Sequence, residues 1–527
     1  MVGFFLNKFR RVLNVKSARG VSFTLSIVSM ASKPMGYVRM LITAWAFGTS
    51  PGMDSFHLAS GIVSLFAGCI GSAMQSAVLP ELERLRVSTG GDEAACRAVY
   101  AVVAWGVIFV SSLMCAAFAI APGVLVRFFA GGFDTERIRM GAVMLWWLIP
   151  FAVVTIFRPL LEIWAMFRER YTLSCVSAFF FNFIAIPVLL IAGPLIGVYA
   201  VALSMSVGHA VSFILFFIGL HGIPLVVRRA SVPWGSIQTI VKNALFVFVL
   251  SGMSALYMVI DRYFASRLPS GSVAAISYGG NVIGILSLAA TTPMLFFLAR
   301  ISKSVNADPE GARKTVHEAM ALIMAYFLPL GLFLSSCARP VIRLVYGWGN
   351  FGAESVNMTS IALSAYCLGL VFSLMASLIS NYAVAMQRLR TIVCFSVVGI
   401  AMNTTLNWLL VGRYGLFGLA IATSISQFLG FLIYHGLFLR DSIVGFALRS
   451  RFFLQFFVIS IFAGIAWTSR SLGGVPQLAF TLVLAVLYFS CAAKLGLMPL
   501  VPAHWQPLHL AEFFFSSIKS YISGEKK

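Results

Sequence analysis

The chain has 527 residues, 60% of them hydrophobic and only 10% charged, with a formal net charge of +21. Soluble domains carry about 25% charged residues, so this composition excludes a soluble globular enzyme. The basic excess does not mark a nucleic-acid binder either, because the lysines and arginines lie mostly between apolar runs, where membrane topology explains them.

In chain order, Met1 to Gly20 is basic and amphipathic and lacks an apolar core followed by a cleavage site. It reads as a cytoplasmic surface segment rather than a signal peptide. Apolar runs then recur, each long enough to cross a bilayer core of about 30 Å as a helix. They predict about 14 helices, at 21–46, 56–80, 98–122, 140–166, 172–192, 196–220, 243–262, 272–299, 317–336, 356–385, 391–411, 415–438, 453–469 and 476–494. Residues 223–242 read as a cytoplasmic linker, with Arg228, Arg229 and Pro233 in a hinge-like connection. Residues 495–527 read as a cytoplasmic amphipathic tail, with Leu508, Phe513, Phe514 and Phe515 against Lys519, Lys526 and Lys527. With the N-terminus in the cytoplasm, 26 lysines and arginines fall on the cytoplasmic side, 9 on the other, and Lys33, Arg39 and Arg158 within spans. That asymmetry predicts cytoplasmic N- and C-termini.

The sequence carries an internal repeat. Gly197 to Ser206 matches Gly415 to Ser424 in character, Arg127 to Phe133 resembles Arg343 to Phe351, and Pro80 with Arg84 parallels Pro293 with Arg300. Three matches at nearly one spacing predict an all-α polytopic membrane protein with two pseudo-symmetric six-helix lobes, 21–222 and 243–440, and two further helices within 453–494. An even number of spans per lobe gives both lobes the same orientation. That is a transporter pattern, with two bundles rocking about a site between them.

The first predicted helix contains two cations it should not have, Lys33 and Arg39. A charge at membrane depth costs about 2.5–3.5 kcal/mol on insertion scales and normally faces a protein interior or a wet cavity. Snorkelling to the interface is the alternative, easier for Lys33 than for mid-span Arg39. The functional reading is an anionic ligand, which guanidinium grips as a fork and ammonium as a point charge. Arg158 and Glu162, four apart, share a helix face and read as an internal ion pair, with a substrate-contacting cavity role as the other reading. Asp54 reads either as the N-cap of its own helix or as a transport residue. Asp261 and Arg262 read as a boundary pair. Asn403, Asn407 and Thr423 form a polar set suited to helix–helix hydrogen bonding or to an ion. His57, His209 and His435 could titrate near neutral pH, although each alone reads as a packed residue. The eight cysteines include no CxxC pair, and neither a metal nor a disulfide framework is expected. No P-loop or HExxH is present, and no enzyme is expected.

Lys33-Pro34-Met35-Gly36-Tyr37-Val38-Arg39, Ala46-Phe47-Gly48, Asp54-Ser55-Phe56 and Leu79-Pro80 resemble the opening of the MurJ (MviN) family of lipid II flippases. That family lies in the MATE-like superfamily of multidrug, oligosaccharidyl-lipid and polysaccharide exporters. The resemblance implies translocation of the undecaprenyl-pyrophosphate-linked peptidoglycan precursor, lipid II, from the inner to the outer leaflet of a bacterial cytoplasmic membrane by alternating access. The pyrophosphate would sit in a cationic cavity; Lys33 and Arg39 match two family cavity arginines, and Asp54 its acidic residue. Helices 453–494 resemble a pair that forms a groove for the lipid tail. Some members place a sodium site at positions matching Asn403, Asn407 and Thr423, built with carboxylates. Coupling to Na+, H+ or the membrane potential, no other cofactor, a monomer, membrane lipids and cell-wall synthesis proteins as partners, and no nucleic acid are the remaining expectations. The chain departs from the pattern twice: Leu65 to Gly68 stand where a family arginine is common, and Gly280-Asn281 where a second one falls, which makes Asn281 a candidate substrate contact. Alternatives are a flippase for another lipid-linked oligosaccharide, a MATE-type drug/ion antiporter, which would want acidic cavity residues, and a non-transporting scaffold.

Overall fold

A computed structural model describes residues 18–90, 93–170, 172–220, 223–225, 232–305, 307–439 and 452–495. The expected amphipathic segment up to residue 17, linker residues 226–231 and the tail from 496 lie outside the described residues, as do the side chains of Lys33 and Cys175.

The described chain is helical throughout its regular structure. The order begins α1 (Ala18–Phe47), α2 (Pro51–Ser88, with a π turn at Ser64–Gly68), α3 (Glu93–Ile120), α4 (Pro122–Phe129) and α5 (Thr135–Trp147). It continues with α6 (Ile149–Phe167), α7 (Thr172–Ile196), α8 (Tyr199–Leu220), α9 (Trp234–Ala265) and α10 (Ser272–Ser304). The last are α11 (Pro309–Ser336), α12 (Ala338–Tyr346), α13 (Ala353–Ala385), α14 (Leu389–Phe438), α15 (Phe452–Thr468) and α16 (Gly474–Lys494).

Local chemistry sets several boundaries. Ser50 caps α2 by accepting from the Met53 amide, and Pro51 at the first helical position loses no intrahelical bond. The expectation that Asp54 caps this helix is therefore corrected. Asp134 caps α5 by accepting from the Arg137 amide at 2.8 Å, and Asp308 caps α11 through the Gly311 amide. Within the 50 residues of α14, Gly415 adopts φ +55°, a left-handed conformation that glycine takes without a Cβ penalty. The expected helices 391–411 and 415–438 meet at that bend.

Eleven helices among the described residues are long and apolar enough to cross a membrane, and the protein is an all-α polytopic membrane protein. The expected number was 14. Part of the difference lies in α14, which holds two expected helices; α1 and the 17-residue α15 stand outside the eleven but cover expected helices 21–46 and 453–469.

Contacts divide the chain into two compact units. The first comprises 1–286, 338–369 and 387–430, the second 287–337, 370–386 and 431–527. In the first, α7 packs along α8 and against α1, and α2 packs on α5, α6 and α9. Its core is aromatic: Trp164 lies 4.9 Å from Tyr100, whose hydroxyl donates to the Leu160 carbonyl at 3.0 Å. In the second, α11 packs against α15 and α16. There the Arg470 guanidinium and the Gln477 amide donate to the Ser335 and Ser336 carbonyls, satisfying the C-terminal end of α11.

Candidate functional site

The polar groups of the first unit fall into four places. The first is around Arg39. Its Nε donates to Asn182 Oδ1 at 3.4 Å, and its guanidinium lies 5.3 Å from the centre of the Phe181 ring. Asn182 is buried and donates in turn to the Ser32 carbonyl of α1 at 3.5 Å. Phe181 stacks on His209 at 3.8 Å, and His209 lies 4.8 Å from Phe151. Arg39 thus faces protein on α7 and α8. No carboxylate among the described residues lies within ion-pair distance of it. A half-buried guanidinium with one neutral partner and one aromatic face keeps donors available for an anion. Lys33 lies on the same helix, six residues before Arg39.

The second place is the pair Arg158 and Glu162 on α6, joined Nε to Oε1 at 2.9 Å and both partly buried. The four-residue spacing puts them on one face, as expected from sequence.

The third is Asp54, 1% exposed. Its Oδ2 accepts from the Gly271 amide at 2.6 Å and its Oδ1 from the Ala274 amide at 2.7 Å, across 217 and 220 residues. The carboxylate therefore sits at the N-terminus of α10, where unsatisfied amides and the helix dipole favour a negative charge. Arg137 Nη1 stands 3.7 Å away, and Ser55 donates to the Arg137 carbonyl at 3.0 Å. Close by, Asn350 donates through its backbone to the Trp45 carbonyl and through its side chain to the Ala46 carbonyl. The turn between α1 and α2 is thus tied to the segments before α10 and α13.

The fourth place joins residues that sequence spacing keeps apart. Asp261 on α9 accepts from Asn407 Nδ2 at 2.9 Å through Oδ1 and from the Thr423 hydroxyl at 2.9 Å through Oδ2. Asn407 also donates to Asn403 Oδ1 at 3.1 Å. Asn403 and Asn407 are fully buried. The polar set therefore contains a carboxylate that sequence reasoning left out of it. The expected boundary pair is corrected: Asp261 bonds to α14, and no ion pair joins it to Arg262. Instead Arg262 lines a cavity of about 380 Å³ together with His57, Asn281, Tyr366 and Gln427, and Asp261 and Thr423 reach the same cavity. Neighbouring positions on a helix are about 100° apart, so Asp261 and Arg262 point to different partners. That rule was the signal available in the sequence. Asn281 is thus brought beside Arg262, whereas Arg39, Arg158 and Glu162 do not line this cavity. Among the described residues no cluster of three or more His, Cys, Asp or Glu side chains could hold a metal, and no disulfide joins the described cysteines.

Comparison with known proteins bears on these groups. The family model described as Lipid II flippase MurJ matches residues 43–486. The lipid II flippase MurJ of Burkholderia cenocepacia is 25% identical over 529 residues, covering 93% of this chain and 98% of that one. Among solved structures, a lipid II flippase MurJ in an inward closed conformation aligns with a TM-score of 0.73 at 17% identity, covering 89% of this chain and 99% of that one. An inward-facing multidrug resistance MATE family transporter of the MOP superfamily aligns at 0.66 and 13% identity, covering 80% and 98%. The two structural likenesses establish a shared MATE-like fold.

Proposed function

This chain belongs to the MurJ family of lipid II flippases, and on that premise we propose that it moves lipid II from the inner to the outer leaflet of a bacterial cytoplasmic membrane. The observation that carries the reading is the family match over residues 43–486. Arg39 supports it: a cation in the first helix, turned toward Asn182 and Phe181 and with no carboxylate partner among the described residues, is what a diphosphate-bearing head group needs. The prenyl tail would stay in lipid while the head crosses through protein. Lys33, on the same helix, is proposed to assist Arg39 in gripping the head.

The proposed cycle is alternating access, with the two repeat halves, 21–222 and 243–440, as the moving bodies and both termini in the cytoplasm. The protein acts as a monomer, breaks no covalent bond in this scheme, and meets cell-wall synthesis proteins only as neighbours. The energy source is proposed to act through the Asp261 set. Asp261 contributes a carboxylate, and Asn407 Oδ1 is buried without a hydrogen-bond partner. Oxygen donors of this kind fit a hard monovalent cation such as Na+, which Asp261, Asn403, Asn407 and Thr423 would hold.

Arg39→Ala is the direct test. In vesicles carrying the purified protein, and in a bacterium depleted of its own lipid II flippase, this variant should reach the membrane normally and fail to translocate lipid II. Full activity would count against the reading. A second reading, transport of another lipid-linked oligosaccharide, is favoured by Asn281 and by Leu65 to Gly68, which leave two family arginine positions uncharged. A lipid-linked glycan of different composition, supplied in the same vesicles, separates the two.

A further inference from the structure

One long bond does not fix a guanidinium. Among the described residues Arg39 makes a single side-chain hydrogen bond, from Nε to Asn182 Oδ1, and at 3.4 Å it is long. An arginine side chain gives up much rotamer freedom when held in one orientation, so a second support is needed. The Phe181 ring supplies it, with its centre 5.3 Å from the guanidinium carbon. A cation within about 6 Å of a ring centre is drawn to the ring's face. Phe181 has a seat of its own on His209 of α8. Phenyl and imidazole stack with 3.8 Å between centres and 29° between planes. Phe151 of α6 also contacts the imidazole, at 4.8 Å. This seat exists because α8 comes close to α7 at Gly208, where an ideal Cβ would fall 2.8 Å from the Phe181 carbonyl oxygen and 3.0 Å from its ring. His209 Nδ1 is buried without a hydrogen-bond partner. Ring contacts, rather than that nitrogen, hold the imidazole. The four planar groups come from four helices, α1, α7, α8 and α6, and tie the cation of α1 to the packed helices of the first unit.

We propose that Phe181 and His209 are positioning residues for Arg39: His209 sets the Phe181 ring, the ring sets the guanidinium, and Nη1 and Nη2 stay available for the anionic oxygens of the transported head group. The inference rests on the flippase reading and goes beyond it by adding two residues that a reading of charges passes over. The stack supplies orientation without a counter-charge. A carboxylate in the same place would fix Arg39 as firmly and compete with the anion.

Two measurements on the full-length protein test this. The first is modification of arginines by phenylglyoxal in lipid nanodiscs, with Arg39 and Arg158 resolved by mass spectrometry. His209→Ala and Phe181→Leu should each raise the Arg39 rate at least about threefold and leave Arg158, paired with Glu162, unchanged. His209→Phe keeps a flat ring and should restore the wild-type rate. The second is lipid II translocation in vesicles over a series of lipid II concentrations. His209→Ala should raise the half-saturating concentration about fivefold, as expected for a lost cation–π contact, with the maximal rate and melting temperature near wild type. His209→Phe should stay within about twofold of wild type. In Arg39→Lys, where the fork is already lost, His209→Ala should add less than about twofold. A packing role alone predicts something else: His209→Ala would lower the melting temperature and maximal rate, leave half-saturation and Arg39 modification unchanged, and multiply in full with Arg39→Lys. That result overturns the proposal. So do wild-type Arg39 modification rates in both His209→Ala and Phe181→Leu, whatever the vesicles show. If wild-type vesicles move no lipid II, the flippase reading falls, and the phenylglyoxal rates alone decide the stack.

Discussion

Replacing Asp54 by Asn tests the link between distant parts of the first unit. In the wild type one carboxylate accepts two backbone amides, from Gly271 at 2.6 Å and Ala274 at 2.7 Å, at the start of α10. Asparagine offers one acceptor oxygen, so one amide keeps its bond and the other faces an NH₂ group. Leaving a buried donor unsatisfied costs about 1–3 kcal/mol. Removing the negative charge from a partly buried helix N-terminus adds up to about 2 kcal/mol. The expected local loss is therefore about 2–4 kcal/mol, and for Asp54→Ala about 3–5 kcal/mol, because both amides then lose their acceptor. A loss of 2 kcal/mol raises the population of the opened state about 30-fold. Hydrogen–deuterium exchange resolves this directly: the Gly271 and Ala274 amides of the Asn variant should exchange about 30-fold faster than wild type, with α7 and α8 unchanged as internal controls. Wild-type exchange rates at both amides would refute the reasoning, because the carboxylate would then contribute nothing to the start of α10.

Four further outcomes are expected. Asn407→Asp places a second carboxylate beside Asp261, so its melting temperature should fall in choline buffer and recover on adding Na+; insensitivity to Na+ would count against a cation at this set. Gly61→Ala should crowd the Arg262 guanidinium that packs against it and lower the melting temperature in a thermal-unfolding scan; an unchanged melting temperature would show that the contact carries no weight. Arg39→Lys should retain partial translocation in the vesicle assay, because the charge persists while the fork and the stacking on Phe181 are lost. The Arg137 amide holds the Asp134 carboxyl below the usual carboxylate range, so its stabilisation is present above the unfolded value near pH 3.9 and lost as pH falls through the folded one. The melting temperature of Asp134→Ala should accordingly lie below wild type at pH 7, by an amount corresponding to up to about 1 kcal/mol for this exposed cap, and converge on it toward pH 3.

Much of the fold was legible because membrane spans are long and apolar, and bilayer thickness sets their length. Gly415 was legible too, as the start of a repeated motif that turned out to be a bend. The i,i+4 pairs were readable for the same geometric reason: Arg158 with Glu162 and Asn403 with Asn407 meet because helices place such residues on one face. Contacts across hundreds of residues were not readable. Nothing local to Asp54 announces that its partners are amides 217 and 220 positions later. Two errors were avoidable. Ser50 followed by Pro51 is a better cap signature than Asp54 three residues into the helix. Adjacent Asp261 and Arg262 suggested a pair only because sequence adjacency was allowed to stand for spatial adjacency.

The π turn at Ser64–Gly68 has a consequence for how α2 tolerates change. Such a turn amounts to one surplus residue in an α-helix, and it rotates everything after it out of phase with what came before. Before it, residues 51–63 pack on α5; after it, residues 69–88 pack on α6 and α9. An uninterrupted helix could not aim both lengths correctly with this spelling. Removing one residue within Ser64–Gly68 should therefore convert the turn to regular α-helix and keep both lengths of α2 on their neighbours, whereas inserting one more would spin one whole end of α2 by about 100° against them.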